Sequence, residues 1–235
     1  GQYRGFQFRN LSLRADYDRG RLTEGVLDFD GDGGHVLAEG SADFQDPERI
    51  PFFVRPKFTS LELETLALAF GLGRPPATGA LILTGELRGQ TGASDSLLKS
   101  LDGRLDATMG PGRVSRVGKI GAPLAKLLSF ASVRGLLSGT LLTDLTGKGL
   151  AYRSIAAQAR FESGVMDLGA LRFESDAMNI DARGRIDMLR QQMDVMAELR
   201  SFGTVDKILG FLPIVGKPLE AMTSIPLLVQ GPLED

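Results

Sequence analysis

Apolar and polar residues alternate along most of this chain, and the alternation is clearest near its C-terminal third. From Met178 to Met188 the even positions are Met178, Ile180, Ala182, Gly184, Ile186 and Met188, while Asn179, Asp181, Arg183, Arg185 and Asp187 occupy the odd ones. Successive side chains of a strand leave opposite faces, so this pattern predicts a half-buried antiparallel strand. Two further strand-like runs precede it. In Ile155–Phe161 the residues Ile155, Ala157, Ala159 and Phe161 share one parity, Gly164 breaks the run, and a second run ends in Leu171 and Phe173.

The same three-strand unit occurs earlier. Moved forward by 144 residues, Gly5–Phe44 lies on Gly149–Met188 without a gap; Gly5, Arg9, Ala15, Gly20, Gly25, Leu27, Phe29, Asp32, Ala38, Gly40 and Asp43 land on identical residues. Tyr17 lands on Phe161, Leu11 on Ile155 and Val36 on Ile180. The matches are mainly apolar positions and turn glycines, which is what a repeated meander sharing one apolar face requires. Two copies are fewer than most arrays use, and the chain starts at Gly1 rather than Met. It therefore reads as a piece of a longer repetitive protein.

The remaining elements follow from the same patterns. Leu11, Leu13, Ala15 and Tyr17 share a face of the first strand, and Val36, Ala38, Gly40, Ala42 and Phe44 alternate on the third. Ile50–Phe58 reads as a strand in an edge or irregular position because of Pro51 and Pro56. Leu81 to Leu87, Leu101 to Met109, Met193 to Leu199 and Ile225 to Val229 also alternate. Helical spacing marks Leu61–Phe70 and, most clearly, Lys119–Ala131, where Ile120, Leu124, Leu127, Leu128 and Ala131 form a stripe. Short helices are also predicted after Ser94 and over Val205–Leu212 with a Thr204 cap.

The predicted fold is mainly β: a long curved antiparallel sheet built from repeated meanders, forming an open groove or partly closed barrel, with about four short helices packed on it. Glycines inside strand patterns, at Gly40, Gly85, Gly103 and Gly184, supply the bends that curvature needs. Ten strands about 4.8 Å apart and about eight residues long present an apolar face of roughly 1,200 Å². A short helix about 10 Å wide covers about 150–200 Å², so four leave part of that face open or the sheet must curl on itself.

Composition removes most chemistry. A formal charge of −2 and a sequence pI near 5.6 give no footprint for nucleic acid. There is no cysteine, so neither disulfides nor cysteine metal sites can form. His35, the one histidine, falls on the polar parity of its strand and reads as an ordinary exposed residue. The usual zinc sets, a Gly-x-Ser-x-Gly elbow and a phosphate-cradling loop are all missing from the sequence. Asp30-Gly31-Asp32-Gly33 lacks the spacing and terminal Glu of an EF-hand and reads as a turn. Asp181, Asp187 and Asp194 lie on polar strand faces. No catalytic residue, metal or cofactor is expected, and an enzyme is the weakest reading.

From about Leu61 onward the chain resembles the AsmA-like C-terminal domain found in large envelope proteins of Gram-negative bacteria. The resemblance rests on Thr78–Gly85 (TGALILTG), Ser100–Leu105 (SLDGRL), the helix Ile120–Phe130, Asp144–Gly149 (DLTGKG), Phe161–Val165 (FESGV), Gly184–Asp187, Thr204–Gly216 and the closing Val229–Asp235 (VQGPLED), in that order. Residues 61–235 then form the C-terminal domain, and residues 1–60 fit the β-repeats that precede it, within one continuous sheet. The resemblance implies a periplasmic location in a parent protein anchored in the inner membrane. It also implies similarity to bridge-like lipid transfer proteins, whose apolar groove carries phospholipid towards the outer membrane. On this reading Met178, Ile180, Ile186, Met193, Val195 and Leu199 are candidate groove residues. Ile120, Leu124, Leu127 and Leu128, with Ile208, Leu209 and Phe211, are candidate lids or membrane-contacting faces. The expected partners are phospholipid, neighbouring repeats of the parent chain and envelope proteins. The alternative is a structural or interaction module for outer-membrane assembly, with sheet edges that pair with a partner and no lipid in this region.

Overall fold

Short glycine turns between alternating runs leave each strand of this chain beside the next, and the result is one long meander. The computed structural model describes residues 2–3, 6–31, 33–69, 75, 77–92, 97–114, 149–176, 178–201 and 224–233. The strands are β1 (Gln2–Tyr3), β2 (Phe6–Asp18), β3 (Arg21–Gly31), β4 (Gly34–Asp43), β5 (Ile50–Glu62), β6 (Ala80–Thr91) and β7 (Asp102–Met109). They continue with β8 (Gly112–Val114), β9 (Leu150–Tyr152), β10 (Ser154–Glu162), β11 (Val165–Glu174), β12 (Met178–Asp187), β13 (Gln192–Ser201) and β14 (Ile225–Pro232). All but β8 and β9 join one antiparallel sheet in the order β1-β2-β3-β4-β5-β6-β7-β10-β11-β12-β13-β14. Apart from the two-residue β1, that is a sheet of eleven strands, and it is not closed. β8 and β9 pair only with each other, and Ala77 bridges to Val114 beside them.

The repeat is visible in the geometry. β4 and β12 occupy equivalent residues, Gly34–Asp43 and Met178–Asp187. The β2–β3 turn has Arg19 and Gly20 at φ 46° and 86°; the β10–β11 turn has Ser163 and Gly164 at 48° and 85°. Two consecutive positive φ angles define the hairpin turn whose twist matches that of its strands, and glycine takes the second position in both copies. At the β12–β13 turn Asp187 does the same work with its side chain. Its carboxylate accepts the backbone N–H groups of Arg190 at 2.8 Å and Leu189 at 3.1 Å. These bonds, the Arg190 N–H foremost, hold the Asp187 carboxyl below its ordinary pKa. A depressed carboxylate contributes stability above its unfolded pKa of about 3.9 and loses it as pH falls through the folded value. Asp187→Ala is therefore expected to lower the urea midpoint at pH 7, and the gap from the parent chain is expected to shrink steadily below pH 4.

Of the two expected forms, an open groove or a partly closed barrel, the sheet takes the open one. The helix count is corrected. The four packed helices are two among the described residues, α1 (Leu63–Ala69) and α2 (Leu97–Ser100). α1 begins later than its periodicity predicts because Leu61 and Glu62 remain in β5, paired with Leu81 and Ala80. α2 is one turn with no buried residue, tied through the Ser100 hydroxyl to both backbone groups of Gln90. It covers nothing. The helices predicted over 119–131 and 205–212 lie outside the described residues, as does Ser94. β5 is central, between β4 and β6, and not at the edge that was one of the two positions its prolines predicted; the other, an irregular position, agrees with its interrupted pairing to β6. The ladder tolerates them because its β6 side skips Arg55 and Pro56, and Pro51 precedes the start of pairing with β4 at Phe52. The sheet runs through residue 60 without a break.

The last strand is built differently. The N–H of Leu233 donates to Gln191 at 2.7 Å, so the odd-numbered residues of β14 are those bonded to β13. The even-numbered positions face away from the sheet, and two of them, Pro226 and Pro232, have no N–H to offer there.

Candidate functional site

Strand alternation gives the sheet two chemically distinct faces, and the register makes one of them apolar without interruption. Starting on β3, directly paired residues run Phe29, Val36, Phe58, Leu83, Ala107, Ala157, Leu171, Ala182, Ala197 and Leu227. The row crosses ten neighbouring strands and meets no polar side chain. A second row runs Leu61, Leu81, Met109, Ile155, Phe173, Ile180 and Leu199. Cross-strand pairs of this kind are the unit of sheet stability, and here they also define a surface.

The opposite face is a lattice of charges. Asp181 is shared by Arg172 at 2.9 Å and Arg200 at 3.7 Å, and Arg200 also reaches Glu198 at 3.5 Å. Glu86 is shared by Arg55 and Arg104. Glu198 lies below its ordinary pKa, held there first by the Ser224 hydroxyl and then by the charge of Arg200. A depression of about 750 Å³ on this face is lined by Ala156, Gly169, Ala170, Arg172, Arg183 and Met196 among others. It follows from the extra residue at Gly169, where the β11 register shifts against β12. His35 also lies on the polar side, with Nδ1 2.9 Å from Asp30 and Nε2 3.5 Å from Asp28. Among the described residues no group of three or more His, Asp or Glu side chains is arranged to hold a metal ion.

Exposure along the apolar face is graded. On β2, Leu13 is 72 % exposed, Tyr17 65 % and Leu11 54 %. Of their repeat equivalents, Ile155, in the place of Leu11, is 8 % exposed, while Ala157 and Phe161, in the places of Leu13 and Tyr17, are half-buried. Apolar-face positions of β3 and β5–β7 are half-buried apart from the buried Leu61. All six candidate groove residues, Met178, Ile180, Ile186, Met193, Val195 and Leu199, share this face and one cluster, and each is at most 4 % exposed. They lie inside a core. The lid candidates Ile120, Leu124, Leu127, Leu128, Ile208, Leu209 and Phe211 lie outside the described residues. The accessible part of the face is on β2, whose parity was legible. What the alternation does not carry is whether anything packs above a strand.

What packs above β10–β14 includes the small β8–β9 sheet and Ala77. Val114, Leu150 and Tyr152 belong to the same buried cluster as Phe173, Met178 and Ile180. The Tyr152 ring lies 5.9 Å from that of Phe173, and its hydroxyl donates to the Thr78 carbonyl. Burial, and then the nearby charge of Glu62, pushes the Tyr152 hydroxyl up to about 12. A smaller cluster of Phe6, Val36 and Leu61, with Leu66 of α1 against it, closes the same end of the N-terminal strands. No helix among the described residues is long and apolar enough to cross a membrane.

A comparison with protein families matches residues 63–226 to the family described as YhdP protein. This is an envelope protein family of bacteria within the AsmA-like, bridge-like lipid transfer clade; the narrower AsmA-like C-terminal label is not the one that matches. No curated protein and no solved structure matches the chain.

Proposed function

Because the chain belongs to the YhdP protein family, we propose that it is a non-enzymatic, periplasmic part of an envelope protein that supports phospholipid transfer between the inner and outer membranes. Acyl chains lie on the apolar face and headgroups remain in water. The observation that carries this reading is the unbroken apolar row across ten strands of an open sheet. An acyl chain needs no convergent polar site. Each CH₂ removed from water contributes about 0.8 kcal/mol wherever it sits on such a face. Equivalent weak contacts side by side let a chain shift from one strand to the next without crossing a deep well, unlike a pocket that holds one ligand in one pose.

The test is uptake of a fluorescent phospholipid by the purified chain, alongside native mass spectrometry of co-purified lipid. The double substitution Leu13→Asp and Tyr17→Asp is expected to lower uptake about tenfold or more, since each tenfold corresponds to only about 1.4 kcal/mol of lost contact. Both side chains are more than half exposed. The melting temperature is therefore expected to stay within a few degrees of the parent chain's. Unchanged uptake would refute the proposed face. A parent chain that neither carries nor takes up lipid would favour the second reading, an interaction module for outer-membrane assembly. The closed apolar core under β12 and β13 supports that reading.

A further inference from the structure

We propose that the lipid track ends inside this domain: β2–β7 carry acyl chains, and β10–β14 with the β8–β9 sheet form a stop that lipid does not cross. The proposal rests on the acyl-chain reading above and adds a limit to its extent. One face runs across both halves in unbroken register, so the difference between them is not one of residue type. It is one of cover. On β12 the apolar-face side chains from Met178 to Ile186, and on β13 those from Met193 to Leu199, are all 5 % exposed or less. On β2 the same face is open at Leu11, Leu13 and Tyr17.

Two observations make the covered half a stop rather than a lid caught closed. Among the described residues the cover includes a paired element: β8 and β9 form a three-residue ladder, and Ala77 bridges onto Val114. It is pinned at a buried point, where Tyr152 packs on Phe173 and bonds the Thr78 carbonyl. Core packing of this density leaves no room for an acyl chain without breaking contacts. A lipid arriving from the β2 side would therefore have to leave the face before β12.

Photolabelling of the unaltered 235-residue chain tests this. Vesicles of phosphatidylethanolamine and phosphatidylglycerol, doped with phosphatidylglycerol bearing a diazirine at the acyl terminus, are incubated with the protein and irradiated. Labelled peptides are then mapped by mass spectrometry. Labelling concentrated on β2–β7, and on the order of tenfold lower on β12–β13, is expected, because closed positions are reached only through local opening that costs several kcal/mol. Comparable labelling of β12–β13 would overturn the stop while leaving the acyl-chain reading intact. No labelling on any strand would overturn the acyl-chain reading and the stop with it.

Discussion

Ile180→Asp is expected to abolish the cooperative unfolding transition of this chain. Ile180 is 2 % exposed, paired with Phe173 on one side and Leu199 on the other, both of them closed to solvent. Removing the isoleucine forfeits about 2–3 kcal/mol of transfer energy. The carboxylate costs more, because it finds only apolar side chains around it. It must either ionise without partners or bind a proton far above its normal pKa, at a cost of several kcal/mol. The sum is comparable with the roughly 5–15 kcal/mol that stabilises an ordinary domain. Far-UV circular dichroism against urea should show a broad, non-cooperative change. Ile180→Val is the graded control, with a loss of about 1 kcal/mol. A sharp transition in the aspartate variant would mean that the site opens to water. The same substitution reports nothing about lipid binding, since it removes the sheet that would bind it.

Gly184→Val is expected to cost about 3–5 kcal/mol, combining overpacking with backbone strain. Gly184 sits at φ 156°, and a Cβ there would lie 2.2 Å from the carbonyl oxygen of Asp194 on β13. The obstacle is backbone, so β12 and β13 would have to separate. Gly40, its repeat equivalent, meets the Phe53 carbonyl of β5 in the same way, at 2.5 Å. The close approach is thus a property of the meander and not of one site. Gly169→Ala is the contrasting case: its Cβ would meet nothing nearer than 3.9 Å. Thermal melts of the two variants should differ by about ten degrees, on the scale of about 2–4 °C per kcal/mol for a chain of this size. Equal melts would refute the backbone-clash argument.

The sheet was largely legible in the sequence because its signal is local. Alternation at Met178–Met188 and a gapless match of Gly5–Phe44 to Gly149–Met188 together specify strand, turn and facing, and the αL pairs at Arg19-Gly20 and Ser163-Gly164 confirm the correspondence. The prolines of β5 mislead about an edge because their cost depends on which side of the strand each missing N–H would point. That is a property of the register and not of the residue. The candidate site was legible as a face but not as a place. Leu11 and Ile155 are equivalent in parity and in repeat position, yet one is open and the other closed. What separates them is Val114, Leu150 and Tyr152: β9 stands just before β10 but pairs with β8 instead of the long sheet, and strands of three residues carry no alternation long enough to announce this.

The order of strands also has a kinetic consequence. Every neighbouring pair in the long sheet is consecutive in sequence except β7 and β10, where Leu105 meets Ala159. The consecutive hairpins can zip on a microsecond scale. Joining β7 to β10 must first close a loop from Met109 to Ile155, at an entropic cost about 2–3 kcal/mol above that of a tight turn. Folding is thus divided at that seam, with β2–β7 and β10–β14 as two rapidly forming halves and their docking as the slow event. The β8–β9 ladder lies within the loop and shortens it once formed. An element that covers the finished core would then also act as a clamp that brings the halves together.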